Sequence, residues 1–180
     1  EHHYDLGNDF FAAMLDSHLT YSCGYWAETN SLEAAQTAKL DLICRKLGLQ
    51  PGMRLLDIGC GWGSLHCAGL PVEFRLQDYR EFNRSGHQRF ERVASVGMFE
   101  HVGRKNHQGF FEMVRRSVSD DGVFLLHTIG RNAGRIPTDP WIDRHIFPNC
   151  ELPSLSQIFD SCEQGFLIED VQHFGADYDP

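Results

Sequence analysis

Short apolar runs alternate with amphipathic segments along most of this 180-residue chain. The apolar runs have the length and the β-branched or aromatic content of strands, whereas the segments between them repeat apolar residues every three or four positions. The strand-like runs cover residues 54–58, 72–76, 93–96, 123–127 and 166–170. Strands that alternate with helices predict an α/β fold of the Rossmann-like kind, with a mostly parallel sheet covered by helices on both faces.

Three segments show the apolar period of amphipathic helices. The first is predicted to start at Asn30, with Glu33 three residues later as a capping pair, and to end before Gly48. The second covers residues 106–118 and ends at a turn over residues 120–122, and the third starts after Ser154. The apolar positions of these helices are Leu32, Leu40, Ile43, Leu47, Phe110, Phe111, Val114, Leu155, Ile158, Phe159 and Cys162, and we expect those of the second helix to face the core.

The run at residues 54–58 leads into an acidic turn with spaced glycines, Asp57-Ile58-Gly59-Cys60-Gly61-Trp62-Gly63. Glycines in such a turn let the backbone approach a ligand closely, and an acidic side chain at the end of a strand can accept hydrogen bonds from it. Ser64 stands where the dinucleotide fingerprint would have its third glycine. The turn therefore favours S-adenosylmethionine over a nicotinamide, while another nucleotide or a simple strand–turn–helix corner stays open.

The distance from this turn to the next predicted strand is too short for a nucleotide-binding fold. One strand–helix–strand step needs roughly 30 residues, but only residues 64–71 lie between the turn and the run at 72–76. We expect that a segment is missing between Ser64 and Pro71, the alternative being a true truncation that closes the sheet differently. With 42% hydrophobic residues the chain can bury one core, so residues 1–180 are interpreted as a single, incomplete catalytic domain.

Charge and cysteine usage narrow the classes of function. A net charge of −9 argues against a nucleic-acid surface, which needs clustered Lys and Arg. The six cysteines form no C-x-x-C pair and accompany no paired histidines, so no metal site is predicted. Reduced thiols, the lack of a membrane-length apolar run and the lack of a signal-peptide pattern lead us to expect a cytoplasmic protein.

Polar residues follow two of the predicted strands, at the edge where ligands bind in open α/β sheets. Glu100 comes after two apolar residues, so its carboxylate is expected in a partly dry pocket where it can take a proton; an acid that starts a helix is the alternative. His127 ends a very apolar strand and is equally well explained as a core histidine. Aromatic residues near the start of the chain, such as Tyr21, suit either a π-rich cavity or ordinary packing.

Six motifs occur in order along nearly the whole chain. They are His3-Tyr4-Asp5-Leu6-Gly7-Asn8-Asp9-Phe10, Tyr21-Ser22-Cys23, the Asp57-to-Gly63 turn, Gly97-Met98-Phe99-Glu100-His101-Val102-Gly103, Leu126-His127-Thr128-Ile129-Gly130 and Gly175-Ala176-Asp177-Tyr178. Together they resemble the cyclopropane-fatty-acyl-phospholipid synthase family, whose relatives include mycolic acid cyclopropane synthases and some small-molecule methyltransferases. The resemblance implies the class I fold of S-adenosylmethionine-dependent methyltransferases.

The resemblance also implies a reaction, the transfer of a methylene group from S-adenosylmethionine to the cis double bond of an unsaturated phospholipid acyl chain. The residues that match the family's cofactor contacts are Tyr21, Ser22, Leu55, Asp57, Ile58, Gly59, Cys60, Gly61, Trp62 and Gly63, with Gln77, Asp78 and Tyr79 around the adenine. The family holds a bicarbonate ion, and the matching catalytic residues are Cys23, Glu100, His127, Tyr178 and the backbone of Ile129.

The same resemblance implies peripheral association with the inner face of the membrane, where the acyl chains lie. A homodimer would form through parts of the family that this chain does not contain, namely an amino-terminal domain and further carboxyl-terminal helices. Two other functions stay open. One is a methyltransferase that leaves a methyl branch on a lipid or methylates an amine, and the other is a cofactor-binding or lipid-binding module without turnover.

Overall fold

The computed structural model describes residues 7–64, 73–82, 84, 87–132, 139–146 and 150–178, without the side chain of Tyr178. The helices in these ranges are α1 (Asn8–Met14), α2 (Leu32–Lys46), α3 (His107–Ser117), α4 (Pro140–His145) and α5 (Leu155–Cys162). The strands are β1 (Leu55–Asp57), β2 (Phe90–Val96) and β3 (Val118–His127). Short 3₁₀ turns cover Phe99–His101, Arg104–Asn106 and Gly175–Tyr178.

The three strands form one parallel sheet in the order β1, β2, β3. Leu56 pairs with Val93, Val93 with Phe124, and Val96 with His127. Because the strands are parallel, their carboxyl ends meet at one edge of the sheet. Helices α2 and α3 contribute to separate clusters on the two sides of the sheet, which confirms the predicted parallel sheet between helices.

Side chains alternate between the two faces along each strand, and the faces differ in composition. The α3 face is aromatic and includes Val93, Phe99, Phe110, Phe111 and Phe124. The α2 face is smaller and aliphatic, and it includes Ile43, Leu47, Leu55, Ala94, Val96, Val123 and Leu125. By the same alternation Asp57 and His127, the last residues of β1 and β3, belong to the α2 face.

Capping side chains explain where two of the helices begin. The predicted cap of α2 at Asn30 is wrong, because the hydroxyl of Ser31 accepts the hydrogen bond from the backbone nitrogen of Ala34 at 3.2 Å. Leu32 is therefore in the first turn and is 38% exposed. The predicted start of α5 is confirmed, since Ser154 and Gln157 form a reciprocal capping box.

Two predicted strands do not form. Residues 73–76 and 166–170 are irregular and pair with no described strand. Phe166 packs against the aromatic core, whereas Leu76 is fully exposed and Leu167 is 86% exposed. The turn predicted at 120–122 is also wrong, because β3 begins at Val118 and runs through it, with a shift of register opposite Phe90. Val72 and residues 65–71, which carry most of the expected gap, lie outside the described residues.

Candidate functional site

A cavity of about 90 Å³ lies at the carboxyl edge of the sheet. Its described walls are Leu19, Thr20, Tyr21, Ser22, Leu40, Asp57, Gly59, Cys60, Gly61, Trp62, Ser64, Val96 and Gly97. Seven of the residues predicted to contact a cofactor are therefore brought together here. The volume is below the roughly 300–1,000 Å³ of typical small-molecule sites, so these walls enclose only part of a nucleoside-sized ligand.

The glycine turn after β1 has the backbone that a close approach requires. Gly59 has a φ of +80°, and a Cβ at this position would lie 2.6 Å from the side chain of Met98, so a larger residue would be strained and would clash. Trp62 fixes the far side of the turn, because its Nε1 donates to Oδ1 of Asn8 on α1 at 3.1 Å. Contacts with Met98 on one side and Asn8 on the other thus fix the position of the turn beside the cavity.

Asp57 presents a buried acceptor beside this turn. Its Oδ1 atom is buried and has no hydrogen-bond partner among the described residues. Burial raises the pKa of Asp57 to about 7, because removal from water disfavours the charged form. A ligand that donates a hydrogen bond or carries a positive charge would satisfy this oxygen and restore its charge.

The segment from Leu19 to Ser22 forms the opposite wall and is held from below by α2. Nε2 of Gln36 donates to the carbonyl oxygen of Ser22 at 2.8 Å and to that of Thr20 at 3.3 Å. The ammonium of Lys39 donates to Oγ of Ser22 at 2.6 Å. Two buried polar side chains of one helix therefore set the position of this wall.

Glu100 lies in the first turn of the 3₁₀ segment after β2, as an acid that starts a helix would, and its side chain is 3% exposed, as the interpretation of a partly dry pocket predicts. Its Oε1 accepts a hydrogen bond from the backbone nitrogen of Ile129 at 2.6 Å. Its Oε2 is buried without a partner among the described residues. The carboxylate is thus fixed through one oxygen and has the other available.

His127 is packed and neutral. Its ring stacks on Phe174 with 5.3 Å between the centroids. Burial, and secondarily the charge of Lys39, lower the pKa of His127 to about 4, since both disfavour the imidazolium form. The buried Nδ1 has no partner within the described part of the chain, so the neutral ring can form a further hydrogen bond through this nitrogen.

Cys23 and the 3₁₀ turn Gly175–Tyr178 meet at the same end of the molecule. The backbone nitrogen of Trp26 donates to Oδ2 of Asp177 at 3.2 Å and joins the two segments. Burial first, and then the charge of Asp177, raise the pKa of Cys23, against an opposing effect of Lys39. The Cys23 thiol therefore stays protonated at neutral pH, and a nucleophilic role is not favoured. The side chain of Tyr178 lies outside the described residues.

Six of the predicted cofactor residues do not line the cavity. Leu55 and Ile58 pack into the two cores, and Gly63 lets the ring of Phe74 pack against the turn, 2.5 Å from where a Cβ would be. Gln77 and Asp78 are exposed, and Asp78 pairs with Arg80. The ring of Tyr79 packs against Phe110 at 5.6 Å between centroids.

Several residues of the site were missed from the sequence. Gly97 directly follows β2, and a glycine at the end of a strand was a usable signal. Gln36 and Lys39 precede Ile43 by seven and four positions and so lie on the same helix face, which made a polar pair on a buried face visible in the sequence. Leu19 gave no signal, because a φ of +53° is unusual for leucine and its residue type does not indicate it.

Comparison with known proteins identifies the family of this fold and site. The model of the family described as mycolic acid cyclopropane synthetase matches residues 1–71 and 68–180. The chain belongs to this family. The predicted resemblance is confirmed, and the two parts of the match meet in the segment where the sequence predicts an omission. The omission itself and the single-domain interpretation stay predictions.

Individual family members show the same likeness. The chain is 48% identical over 204 residues to the cyclopropane-fatty-acyl-phospholipid synthase of Escherichia coli K12, which covers 98% of this chain and 52% of the relative. It is 38% identical over 216 residues to a probable fatty acid methyltransferase of Pseudomonas putida, covering 98% of this chain and 54% of the relative. The chain thus spans about half the length of these two curated relatives.

Among solved structures, the mycolic acid cyclopropane synthase CmaA1 complexed with SAH and CTAB is similar, with a TM-score of 0.78 and 32% identity. The superposition covers 95% of this chain and 75% of that chain. The predicted fold class, a class I methyltransferase fold, is confirmed by this overlap.

No helix in the described ranges has the length and apolar character needed to cross a membrane. Within the same ranges, no cluster of three or more His, Cys, Asp and Glu side chains is arranged to hold a metal ion.

Proposed function

We propose that this chain transfers a methylene group from S-adenosylmethionine to the cis double bond of unsaturated phospholipid acyl chains. The observation that carries the proposal is the carboxylate of Glu100, which is buried, fixed by the Ile129 amide and left with a free oxygen. Family membership and the 48% identity to a cyclopropane-fatty-acyl-phospholipid synthase support the choice of reaction.

The cavity fits the methionyl and ribosyl end of the proposed cofactor. When bound, S-adenosylmethionine supplies an electrophilic methyl group on a sulfonium. The unsatisfied Oδ1 of Asp57 suits an amino or hydroxyl donor, and the backbone of Gly59 and Gly61 permits close approach. Tyr21, Ser22, Cys60 and Trp62 complete the proposed contacts. The adenine contacts of Gln77, Asp78 and Tyr79 stay a prediction.

Aromatic side chains next to the cavity suit a reaction that passes through positive charge. An alkene that takes up a methyl group leaves a cationic carbon on the acyl chain, and water would trap it. Trp62 and Tyr21 line the cavity and both pack on the buried ring of Phe11, at 4.8 and 5.6 Å between centroids. Their ring faces are able to stabilise positive charge without attacking it.

Ring closure requires a proton to leave the new methyl carbon. We propose that a bicarbonate ion is held by Cys23, Glu100, His127, Ile129 and Tyr178, and that it supplies the base when bound. Oε2 of Glu100 is an acceptor for the hydroxyl of bicarbonate, because it has no partner among the described residues, and the neutral His127 ring is a donor for an oxygen of the ion. The Cys23 thiol, which donates to the carbonyl oxygen of Gly24 at 3.3 Å, would turn from that carbonyl to donate to the ion. The amide of Ile129 acts through Glu100, since it already donates to that carboxylate.

The proposed acceptors are acyl chains at the inner surface of the membrane, where the protein would associate peripherally from the cytoplasm. Helix α1 supports an apolar substrate near the cavity, because Phe10 and Met14 are 47% and 42% exposed and Asn8 of the same helix contacts Trp62. No role for nucleic acid is proposed. A homodimer through parts of the family outside this chain stays a prediction.

The reaction is tested by incubating the chain with methyl-trideuterated S-adenosylmethionine and vesicles of a monounsaturated phospholipid. Two deuterium atoms retained in a saturated ring establish methylene transfer, because one is lost when the ring closes. Three retained deuterium atoms would instead establish a methyl branch, the second candidate, which the 38% identity to a probable fatty acid methyltransferase favours. A lipid without label would contradict both reactions.

The Glu100→Gln variant tests the proton-handling residue. We expect turnover to fall by about a hundredfold or more, because an amide cannot accept the hydroxyl of bicarbonate through a charged oxygen. The dissociation constant of S-adenosylhomocysteine should change by less than about threefold. Glu112→Gln, at an exposed position of α3, is the control. Equal losses of turnover and cofactor affinity would remove Glu100 from the chemical step.

A further inference from the structure

Lys39 is a buried cation directly behind the wall of the cavity. It lies in the middle of α2 and is 1% exposed, whereas the neighbouring Leu40 reaches the cavity itself. A lysine buried at this depth loses the hydration of its ammonium, which is costly unless nearby groups compensate. The structure gives it one short contact toward the cavity, the 2.6 Å hydrogen bond to Oγ of Ser22.

The charged surroundings keep Lys39 mostly protonated at neutral pH. Burial lowers its pKa to about 8, while Asp16 and, to a smaller extent, Cys23 act in the opposite direction. The carboxylate of Asp16 is itself occupied, because it accepts hydrogen bonds from the backbone nitrogen and the hydroxyl of Thr20. Positive charge is therefore maintained just below the cavity.

The hydrogen bond from Lys39 determines what the Ser22 hydroxyl can do. A serine hydroxyl has one proton to donate and two lone pairs that accept. Because Oγ accepts from the ammonium, its own proton is free for another partner. Ser22 cannot easily move away, since Nε2 of Gln36 donates to its carbonyl oxygen at 2.8 Å. The hydroxyl is thus a fixed donor in the cavity wall, backed by a cation.

We propose that Lys39 is a positioning residue that aims and polarises the Ser22 hydroxyl toward the carboxylate of the cofactor's methionyl group. The inference rests on the proposed cofactor. A donor backed by positive charge favours an anionic oxygen, and the carboxylate is the one anionic group of S-adenosylmethionine. The unsatisfied acceptor of Asp57 in the same cavity complements the amino group beside that carboxylate. The two sides of the cavity would together recognise an amino acid zwitterion.

The test measures selectivity for the carboxylate rather than affinity alone. Two ligands are titrated calorimetrically into the full chain: S-adenosylhomocysteine, and 5′-deoxy-5′-(3-aminopropylthio)adenosine, which is the same molecule without its carboxylate. For the unchanged protein we expect S-adenosylhomocysteine to bind about tenfold or more tightly than the analogue. In Lys39→Met the ratio should fall to within about threefold, through weaker binding of the carboxylate-bearing ligand only. Ser22→Ala should give the same ratio, and the double variant should lower it no further.

Lys46→Met is the matched control, because Lys46 lies on the same helix and pairs at the surface with Asp170. It should keep the full ratio. If Lys39→Met lowers the affinity for both ligands equally, or for neither, the inference is overturned. Lys39→Gln keeps a hydrogen-bond donor without charge and should give an intermediate ratio; it carries the test if Lys39→Met does not fold.

Two further outcomes separate this inference from the proposed function. If the unchanged protein binds neither ligand, the proposed cofactor is wrong and the inference is overturned with it, whereas an unchanged ratio in a folded Lys39→Met variant overturns only the role of Lys39. A bicarbonate titration at saturating S-adenosylhomocysteine identifies the anion. If Lys39→Met loses bicarbonate affinity and keeps the ligand ratio, Lys39 serves the bicarbonate and the inference is overturned.

Discussion

The two faces of the sheet are built for different purposes. On the α3 face the buried polar residues of helix α3 make only nearby contacts: Oγ of Ser117 donates to the carbonyl oxygen of Met113 in the same helix, and the ring of His107 lies against Phe99. On the α2 face Gln36 and Lys39 reach out of their helix to hold Ser22 at the cavity. A buried polar side chain therefore indicates a functional site when it binds a segment distant in sequence, and not when it bonds only within its own helix.

The same contrast runs along the strands. Leu56 and Phe124 point into the aromatic core on the α3 face, whereas the α2 face ends in Asp57 and His127, each with a buried atom that lacks a partner in the described structure. The α3 face, with the larger core, therefore contributes most of the stability. The α2 face is less stabilising at the edge of the sheet, because reactive polar groups lie there in place of apolar side chains. Variants on each face should separate the two contributions.

Phe110→Ala should produce the largest effect and should act on stability alone. The ring is fully buried and contacts Phe99, Tyr79 and Phe111 at 5.2 to 5.7 Å between centroids. We expect the free energy of unfolding to fall by about 3–5 kcal/mol, from lost burial and the cavity left behind. Urea denaturation measures it, with Leu167→Ala at an exposed site as the control that should stay within about 0.5 kcal/mol.

The affinity of Phe110→Ala for the ligand tests whether the effect is confined to stability. The folded fraction of Phe110→Ala should bind S-adenosylhomocysteine with an affinity within about threefold of the unchanged chain. A large loss of affinity in protein that is demonstrably folded would show that the α3 face participates in the site through Tyr79, a predicted adenine contact whose ring packs on Phe110, and the separation between the faces would not hold.

His127 should make stability depend on pH through the α2 face. Its pKa is about 4 in the folded chain against 6.5 as the ordinary value, so the unfolded state takes up a proton first as the pH falls. Stability contributed by the neutral ring is present above about pH 6.5 and is lost as the pH falls toward 4, by about 2 kcal/mol at pH 5.

The His127→Gln variant isolates this term. Free energies of unfolding at pH 8 and pH 5 should differ by about 2 kcal/mol less than in the unchanged chain. His87→Gln, at an exposed position, should reproduce the unchanged difference. If both variants behave alike, the acid sensitivity originates elsewhere, and His127 is not a source of instability on this face.

Gly109→Ala should give the smallest effect, and it should stabilise. Gly109 lies on the exposed side of α3, and no atom lies within 4 Å of where its Cβ would be. Alanine favours the helix by about 1 kcal/mol over glycine. A rise of that size in the free energy of unfolding, with unchanged ligand binding, would show that the α3 face tolerates stabilisation without cost to the site. Any loss of binding would contradict this independence.

Much of the fold was predictable because its strongest patterns are local. The apolar run at Val123–His127 and the glycine turn after β1 are each specified by consecutive residues, and both formed as predicted. The runs at 73–76 and 166–170 have similar composition but pair with nothing in the described structure. Strand formation depends on pairing with a neighbouring strand, and the composition of one segment does not show whether such a partner exists.

The residues of the candidate site that belong to short local motifs were predictable from the sequence. Contacts between segments distant in the chain were not. Asp57, Gly59 and Glu100 followed from their places at the ends of strands. The contact of Lys39 with Ser22 spans 17 positions, and it depends on how α2 packs under the loop. The sequence alone predicted an apolar stripe on α2. The role of Lys39 within that stripe became clear only from the position of Ser22 in the structure.

The hydrogen bond between Trp26 and Asp177 joins positions 151 residues apart, which has a consequence for biosynthesis. The segment that begins the cavity leaves the ribosome on the order of ten seconds before the segment that docks on it. During that interval a nascent chain already holds its glycine turn and sheet residues but lacks Asp177 to anchor Trp26. The tie between these two segments is therefore made late in translation, after the residues that line the cavity have been synthesised.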